Sequence, residues 1–276
     1  MGRSQLQRMR GVRAAAVAGL FYPDERGPLR HLVDGMLRAA EGAAGAVPKA
    51  IIAPHAGYPY SGPIAANAFE PFRPLAGRIT RVVVIGPSHH VAFEGLALPE
   101  ADAFETPLGR VEVDLEAAAA LLELPQVRVD ARPHAREHSL EVEIPFLQQV
   151  LDDFRVVPLV AGRASAAAVA EALARVWGGE ETRIVVSSDL SHFLDYATAR
   201  RIDRQTADEI LRLAAAIAPQ QACGAVAING LLHLAGGELP LAARLLDLRS
   251  SGDTAGDRSR VVGYGAFSFT TAEAGA

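Results

Sequence analysis

The sequence predicts a single α/β domain, a sandwich in which helices flank a mixed, mainly parallel sheet. Along the 276 residues, apolar segments typical of strands alternate with amphipathic segments typical of helices, and this alternation indicates strand–helix–strand units. Hydrophobic residues make up 50% of the chain, which is enough to form a sizeable core. No internal repeat divides it. We therefore expect one domain over residues 1–276, with residues 1–10 flexible.

Strands are predicted where apolar residues run together or alternate and turn residues follow. The segment Ala50–Pro54 is typical, because four apolar residues end at a proline and a polar loop begins at His55. The predicted strands cover residues 12–18, 50–54, 79–85, 156–160, 184–188, 240–247 and 261–269, with shorter strands or an edge hairpin between 94 and 113.

Helices are predicted where apolar residues recur every three or four positions. In the first of them, Leu29, Val33 and Leu37 share one face. Ser139 is a suitable N-cap for the helix around Pro145, where a proline indicates a kink or a later start. The predicted helices cover residues 24–43, 61–69, 115–122, 137–151, 165–177, 198–216 and 225–234.

Charge and cysteine content restrict the function classes. The 27 basic and 32 acidic residues give a net charge of −5, and no basic stripe carries interleaved aromatics, so a nucleic-acid surface is not indicated. One cysteine, Cys223, permits no intramolecular disulfide and fits a reducing compartment. No segment approaches the roughly 20 apolar residues of a membrane span. We expect a cytoplasmic protein without nucleic-acid or membrane partners.

Three of the predicted strands run directly into short polar turns that carry histidine. AIIAPHAGYPYSG at 50–62 contains His55, RVVVIGPSHH at 81–90 contains His89 and His90, and RIVVSSDLSH at 183–192 contains Asp189 and His192. Parallel strands present their carboxyl ends at one edge of a sheet, which is where open α/β sheets bind ligands. Histidine and carboxylate sets with open positions suit non-haem iron, and also zinc or copper.

Other polar residues have two interpretations each. Cys223 lies near the start of an apolar helix, which favours a thiolate, but such a cysteine is more often a small buried hydrophobe. Tyr58 could donate to a substrate oxygen or pack against the sheet. Glu137 and His138 could orient a ligating imidazole, or simply begin a helix. Ser188 adds a hydroxyl to the third turn.

These motifs together resemble one family. The motifs APHAGYPYSG, GPSHH, EHSLEVEIPF and SSDLSH, followed by Cys223–Gly224, resemble the Memo family, protein B of the AmmeMemoRadiSam system. The segments AGLFYP at 18–23 and GYGAFSF at 263–269 extend the resemblance over nearly the whole chain. The resemblance implies a fold similar to the class III extradiol (protocatechuate 4,5-dioxygenase-type) non-haem iron dioxygenases.

The resemblance also implies roles for particular residues. The metal ligands would be His55, His89 and Cys223, and Asp189 and His192 would act catalytically in the same pocket, with His192 as acid/base. We expect further pocket or supporting residues at His90, Ser188, Tyr58, Glu137 and His138.

The expected cofactor is one metal ion per chain, with Fe(II) ranked ahead of copper and zinc last. The expected activity is that of a redox or oxygen-dependent, dioxygenase-like oxidoreductase acting on an unknown small molecule or peptide. Ring cleavage does not follow, because a cysteine thiolate would replace the carboxylate ligand of the dioxygenases. The family name implies a functional link to radical SAM and AMMECR1-like proteins.

Two alternatives compete with this function. The first is a metal-binding or peptide-binding adaptor that kept the dioxygenase fold without its chemistry. The second is hydrolysis by Ser188, Asp189 and His192, which is disfavoured because Asp and His lie three positions apart and no G-x-S-x-G turn is present.

Overall fold

The computed structural model describes residues 2–41, 47–237 and 239–271. Within the segment expected to be flexible, Gly2–Leu6 forms a short helix and Met9 is buried, and Met1 lies outside the described residues. The same holds for residues 42 and 43 at the end of the first predicted helix. No helix in the described part of the chain combines the length and apolar character needed to cross a membrane.

Except for the first, which is shorter, the strands correspond closely to those predicted, with two short additions, β7 and β10. They are β1 (Val12–Arg13), β2 (Ala50–Ala53), β3 (Arg81–Pro87), β4 (Leu96–Leu98), β5 (Ala103–Thr106), β6 (Gly109–Glu112), β7 (Val127–Val129), β8 (Arg155–Ala161), β9 (Thr182–Ser187), β10 (His192–Leu194), β11 (Leu241–Ser250) and β12 (Val261–Thr271).

The helices connect these strands. They are α1 (Gly2–Leu6), α2 (Arg26–Arg38), α3 (Tyr58–Phe69), α4 (Leu115–Leu121), α5 (Ala131–Ala135), α6 (Ile144–Val150), α7 (Ala166–Arg175), α8 (Tyr196–Leu211), α9 (Ala225–Ala235) and α10 (Ser251–Thr254), with 3₁₀ turns at Glu70–Leu75 and Glu141–Glu143.

The main sheet is mixed, as predicted. Across the described residues its order is β10-β12-β2-β9-β3-β8-β4-β7, and β11 pairs with β12. The central strands β2, β9, β3 and β8 are parallel, whereas β12 and β4 join them antiparallel on either side. A smaller sheet of β1, β5 and β6 contains the predicted hairpin, β5–β6. The parallel centre of the main sheet therefore places the carboxyl ends of β2, β3 and β9 at one edge.

Helices cover both faces of the sheet. At the end of β9, the Ser187 hydroxyl contacts Glu143 beside α6, whereas the next residue, Ser188, accepts a hydrogen bond from Gly224 beside α9. Successive side chains of an extended strand point to opposite faces, so α6 and α9 lie on opposite faces. Helices α2 and α3 pack with α6, and α7 packs with α9.

The helix predicted for residues 137–151 is wrong in its first half. The α-helix begins at Ile144, after a 3₁₀ turn, and Pro145 occupies its first turn, where its missing N–H costs nothing. Ser139 caps no helix, because its hydroxyl donates to the carbonyl of Pro87 instead. Long-range partners have replaced the local helical ones.

The strand predicted for residues 12–18 is shorter than expected and ends at Arg13. The backbone N–H groups of Ala16 and Val17 donate to the carboxylate of Glu141, at 2.8 and 3.0 Å. A side chain 124 or more positions away in the sequence therefore takes the hydrogen bonds that a neighbouring strand would have used.

Candidate metal centre

Three imidazole rings meet where β2 and β3 end. Ring centroids of His55 and His89 are 5.2 Å apart, those of His55 and His138 5.4 Å, and those of His89 and His138 4.6 Å. One nitrogen from each ring lies within 4.8 Å of the other two. The structure thus brings both predicted histidine ligands together and adds a third ring, which the sequence had indicated only as a supporting residue.

His55 is fixed on two sides by the turn that follows β9. Its Nδ1 lies 2.7 Å from the hydroxyl of Ser187, and its backbone N–H donates to Oδ1 of Asp189 at 2.8 Å. Burial of the ring, 1% exposed, holds the pKa of His55 well below its ordinary value. The imidazole is therefore neutral, and Nε2 is the nitrogen that faces the cluster.

His89 is oriented by Glu137. Its Nδ1 lies 2.8 Å from Oε1, and its backbone N–H donates to Oε2 at 2.6 Å. The same carboxylate accepts the backbone N–H groups of His138 and Ser139. Burial alone would raise the pKa of Glu137, but the hydrogen bonds from His89 and these N–H groups hold it well below its usual range. Carboxylate–histidine pairs of this kind often support a metal ligand, and that role for Glu137 stays a prediction.

His138 stacks on His89, with 21° between the ring planes. Its Nδ1 faces Glu137 at 3.4 Å, and the ring of Phe21 packs on it with centroids 4.7 Å apart. Burial lowers the pKa of His138 to about 4, so this imidazole is neutral near pH 7. All three rings turn Nδ1 towards an oxygen, and we infer that all three present Nε2 to the shared space.

Cys223 reaches the same site from just before α9. Its Sγ lies 3.3 Å from Nε2 of His55 and accepts the backbone N–H of Asp189, also at 3.3 Å. Burial raises the pKa of the Cys223 thiol, so a metal or another cation would be needed to hold a thiolate here. The sulfur contacts His55 but does not belong to the group of three mutually close imidazoles.

Asp189 and His192 lie on the neighbouring turn. Burial raises the pKa of Asp189 to about 7, despite the hydrogen bond from the His55 backbone. The Nδ1–H of His192 donates to the carbonyl of Leu190 at 2.8 Å, which leaves its Nε2 without a proton. Burial also lowers the pKa of His192. Asp189 is therefore suited to exchanging a proton near neutral pH, whereas His192 is a neutral imidazole there, with Nε2 available as a proton acceptor.

Three further predicted residues, Ser188, Tyr58 and His90, do not face the cluster directly. Ser188 is buried, donates to the Asp189 carbonyl and accepts the N–H of Gly224, so it supports the loop of Cys223. The buried hydroxyl of Tyr58 donates to the carbonyl of Val142 at 2.7 Å. This contact favours the interpretation that Tyr58 packs in the core over the one in which it donates to a substrate.

His90 is exposed, and its ring centroid is 6.4 Å from that of His138. It lies outside the cluster while His89, its neighbour, lies inside. The hydrolytic arrangement is also unsupported, because the hydroxyl of Ser188 and the Nδ1 of His192 are bonded to different backbone carbonyls.

Two further candidates, Ser187 and Glu143, have contacts at the site that the sequence did not predict. The hydroxyl of Ser187 touches the ring of His55, and the carboxyl of Glu143 touches that hydroxyl at 2.7 Å. Glu143 is fully buried. An acidic residue inside the apolar run of EVEIPF was the available signal, because a buried carboxyl requires a partner.

Comparison with known proteins identifies relatives along most of the chain. A family model described as Memo-like protein matches residues 13–268. The chain is 36% identical to a MEMO1 family protein of Methanothermobacter thermautotrophicus, over 92% of this chain and 98% of that protein. A MEMO1 family protein of Aquifex aeolicus is 35% identical over 92% of this chain and 97% of its own length. One from Nitrosopumilus maritimus is 31% identical, over 94% and 99%.

Proposed function

Since the chain belongs to the Memo-like protein family, we propose that it is a non-haem metalloprotein with one metal ion per chain and a redox or oxygen-dependent activity. The observation that carries the proposal is the cluster of three imidazoles whose nitrogens lie within 4.8 Å of one another. Neutral imidazole is a common metal ligand, and an oxygen acceptor on its second nitrogen is the usual support.

The ligands we propose are His55 and His89 through Nε2, with Cys223 as the third. In a four-coordinate site with metal–nitrogen bonds of about 2.0 Å and metal–sulfur bonds of about 2.3 Å, neighbouring donors are roughly 3.5 Å apart. The 3.3 Å between Sγ and Nε2 of His55 already fits this spacing. His138 offers a further nitrogen in the same space.

The donor set fits several metals. Imidazole suits iron, copper and zinc, and a thiolate favours soft ions such as Cu(I) as well as zinc. We rank Fe(II) first, copper second and zinc third, because the fold is similar to that of non-haem iron enzymes. When bound, a redox-active metal would supply electrons and a coordination position for an oxygen-containing ligand.

The residues around the metal ligands would accept and donate protons. His192 keeps its Nδ1–H on the Leu190 carbonyl, so its Nε2 can take a proton from a bound ligand and return it. Asp189 holds the His55 backbone through Oδ1 and would position that loop. A functional link to radical SAM and AMMECR1-like proteins stays a prediction.

Metal titration under anaerobic conditions tests the proposal. Wild-type protein purified without oxygen should bind about one Fe(II) per chain, and His89→Ala should lose it. His90→Ala is the matched control, because His90 is exposed beside His89 and lies outside the cluster. Normal Fe(II) binding by both His89→Ala and Cys223→Ser would contradict the ligand assignment.

Cobalt substitution separates the two ligand sets. If Cys223 is a ligand, Co(II)-loaded protein should show a sulfur-to-metal charge-transfer absorption that disappears in Cys223→Ser. If His138 completes the site instead, that absorption should be missing in the wild type, and His138→Ala should weaken Co(II) binding as strongly as His89→Ala.

A further inference from the structure

The hydroxyl of Ser187 has three close polar neighbours. It lies 2.7 Å from Nδ1 of His55, 2.6 Å from the carbonyl oxygen of Ser139 and 2.7 Å from Oε1 of Glu143. Every one of these distances is that of a hydrogen bond. Each contact therefore needs one proton between its two heavy atoms, so three protons must be supplied.

Counting donors identifies the source of each proton. A serine hydroxyl has one proton and two acceptor positions, and a carbonyl oxygen has no proton. The proton of Ser187 must therefore lie between its oxygen and the Ser139 carbonyl oxygen, because the carbonyl has no proton of its own to donate. The remaining two protons must come from Nδ1 of His55 and from the carboxyl group of Glu143.

We propose that Glu143 is a neutral carboxylic acid that donates to Ser187, and that this pair fixes His55 in the tautomer with Nδ1–H and a free Nε2. The proposal rests on the metal-binding function above, since free Nε2 is the ligand atom assigned to His55. Glu143 and Ser187 are thus positioning residues, which act on the metal through His55 and touch neither metal nor substrate.

The surroundings of Glu143 support a neutral acid. Its side chain is fully buried, and its second oxygen, Oε2, has no hydrogen-bond partner among the described residues. An unpartnered oxygen costs much less as the carbonyl of an acid than as half of a carboxylate. No cation pairs with Glu143 in the described part of the chain, and nearby Asp189 disfavours a second negative charge. Burial correspondingly raises the pKa of Glu143 well above its ordinary value.

The arrangement has a consequence for metal binding. The tautomer with Nε2–H would place a proton where the metal must bind and would leave a 2.7 Å contact at Nδ1 without one. The Glu143–Ser187 pair therefore prepares His55 for coordination before any metal arrives. Loss of such outer hydrogen-bond partners typically weakens metal binding by about 10- to 100-fold.

The tautomer of His55 can be measured directly in metal-free protein. Nitrogen NMR on histidine-labelled wild-type protein should show His55 protonated at Nδ1 and unprotonated at Nε2. Infrared spectroscopy should show the C=O stretch of a protonated carboxylic acid that vanishes in Glu143→Gln. A His55 protonated at Nε2, or a carboxylate signal in place of the acid, would overturn the proposal.

Paired substitutions test the positioning role with Fe(II) as the probe. Glu143→Gln keeps a donor towards Ser187, so it should keep the His55 tautomer and bind Fe(II) within about threefold of wild type. Ser187→Ala should lose the preference for Nδ1–H and bind Fe(II) about 10- to 100-fold more weakly. Equal losses in Glu143→Gln and Ser187→Ala would contradict a neutral Glu143. If wild-type protein bound no Fe(II), the proposed function would fail, whereas the NMR and infrared results would still decide the proton arrangement.

Discussion

Replacing Glu141 with alanine should destabilise the fold, because it removes a buried ion pair beside the candidate site. Glu141 is 1% exposed and pairs with Arg13, which is 9% exposed. Arg13 in turn donates to the carbonyls of His134 and Glu137. The pair therefore joins the N-terminal segment to the loop that orients His89, and the two segments lie 128 positions apart in the sequence.

The magnitude follows from what the substitution leaves behind. The Arg13 guanidinium would stay buried without its counterion, and breaking a buried pair in this way costs about 3–5 kcal/mol. The backbone N–H groups of Ala16 and Val17 and the hydroxyl of Tyr22 would also lose their acceptor. Water entering the vacated space offsets part of that loss, so we expect the free energy of unfolding to fall by about 4 kcal/mol.

Urea unfolding followed by circular dichroism measures this difference. Glu123→Ala is the matched control, because the side chain of Glu123 is 72% exposed in its pair with Arg175, and exposed pairs contribute less than about 1 kcal/mol. Tyr22→Phe removes a single donor and should cost about 1 kcal/mol. A loss of less than about 1 kcal/mol in Glu141→Ala would show that the buried Arg13–Glu141 pair contributes little to stability.

Three further predictions follow from other contacts. Burial raises the pKa of Asp203 to about 6, so the folded protein keeps a proton that the unfolded chain releases above about pH 4. Stability should fall by about 3 kcal/mol between pH 4 and pH 6, and Asp203→Asn should remove that part of the slope in urea titrations. Gly224→Ala would bring a Cβ within 2.6 Å of the Cβ of Ser188. It should cost about 1–3 kcal/mol in urea unfolding and weaken Fe(II) binding by displacing Cys223, and unchanged binding would contradict the role of that loop. Tyr58→Phe should lower the free energy of unfolding by about 1 kcal/mol and leave Fe(II) binding unchanged, because the Tyr58 hydroxyl donates to the backbone carbonyl of Val142. Weakened Fe(II) binding would instead indicate that Tyr58 contributes to the metal pocket.

The sheet was predictable because its signals are local. The strands ending near His55, His89 and Asp189 are nearly continuous apolar runs, which is typical of strands buried on both faces. The region around Ser139 was not predictable in the same way. The segment does have apolar residues at helical spacing. However, Glu137 and Ser139 form hydrogen bonds with His89 and Pro87, which are distant in the sequence, and the spacing of apolar residues does not indicate such partners.

Within the candidate site, the two histidines at strand ends were easier to predict than the groups that contact them. His55 and His89 stand out because each follows a buried strand. The third imidazole, His138, lies in the segment that the buried Arg13–Glu141 pair joins to the N-terminal segment, and no local sequence signal predicts that contact. The roles proposed for Glu143 and Ser187 depend on how many protons the three contacts of the Ser187 hydroxyl require. These contacts can be seen only in the three-dimensional structure.

X-ray absorption spectroscopy of protein loaded anaerobically with Fe(II) would identify the atoms bound to the metal. We expect about one iron per chain, with imidazole nitrogens and one sulfur among its nearest neighbours, and loss of the sulfur contribution in Cys223→Ser. Iron surrounded by oxygen alone, or an identical spectrum after His55→Ala and His89→Ala, would contradict a metal centre built by these residues.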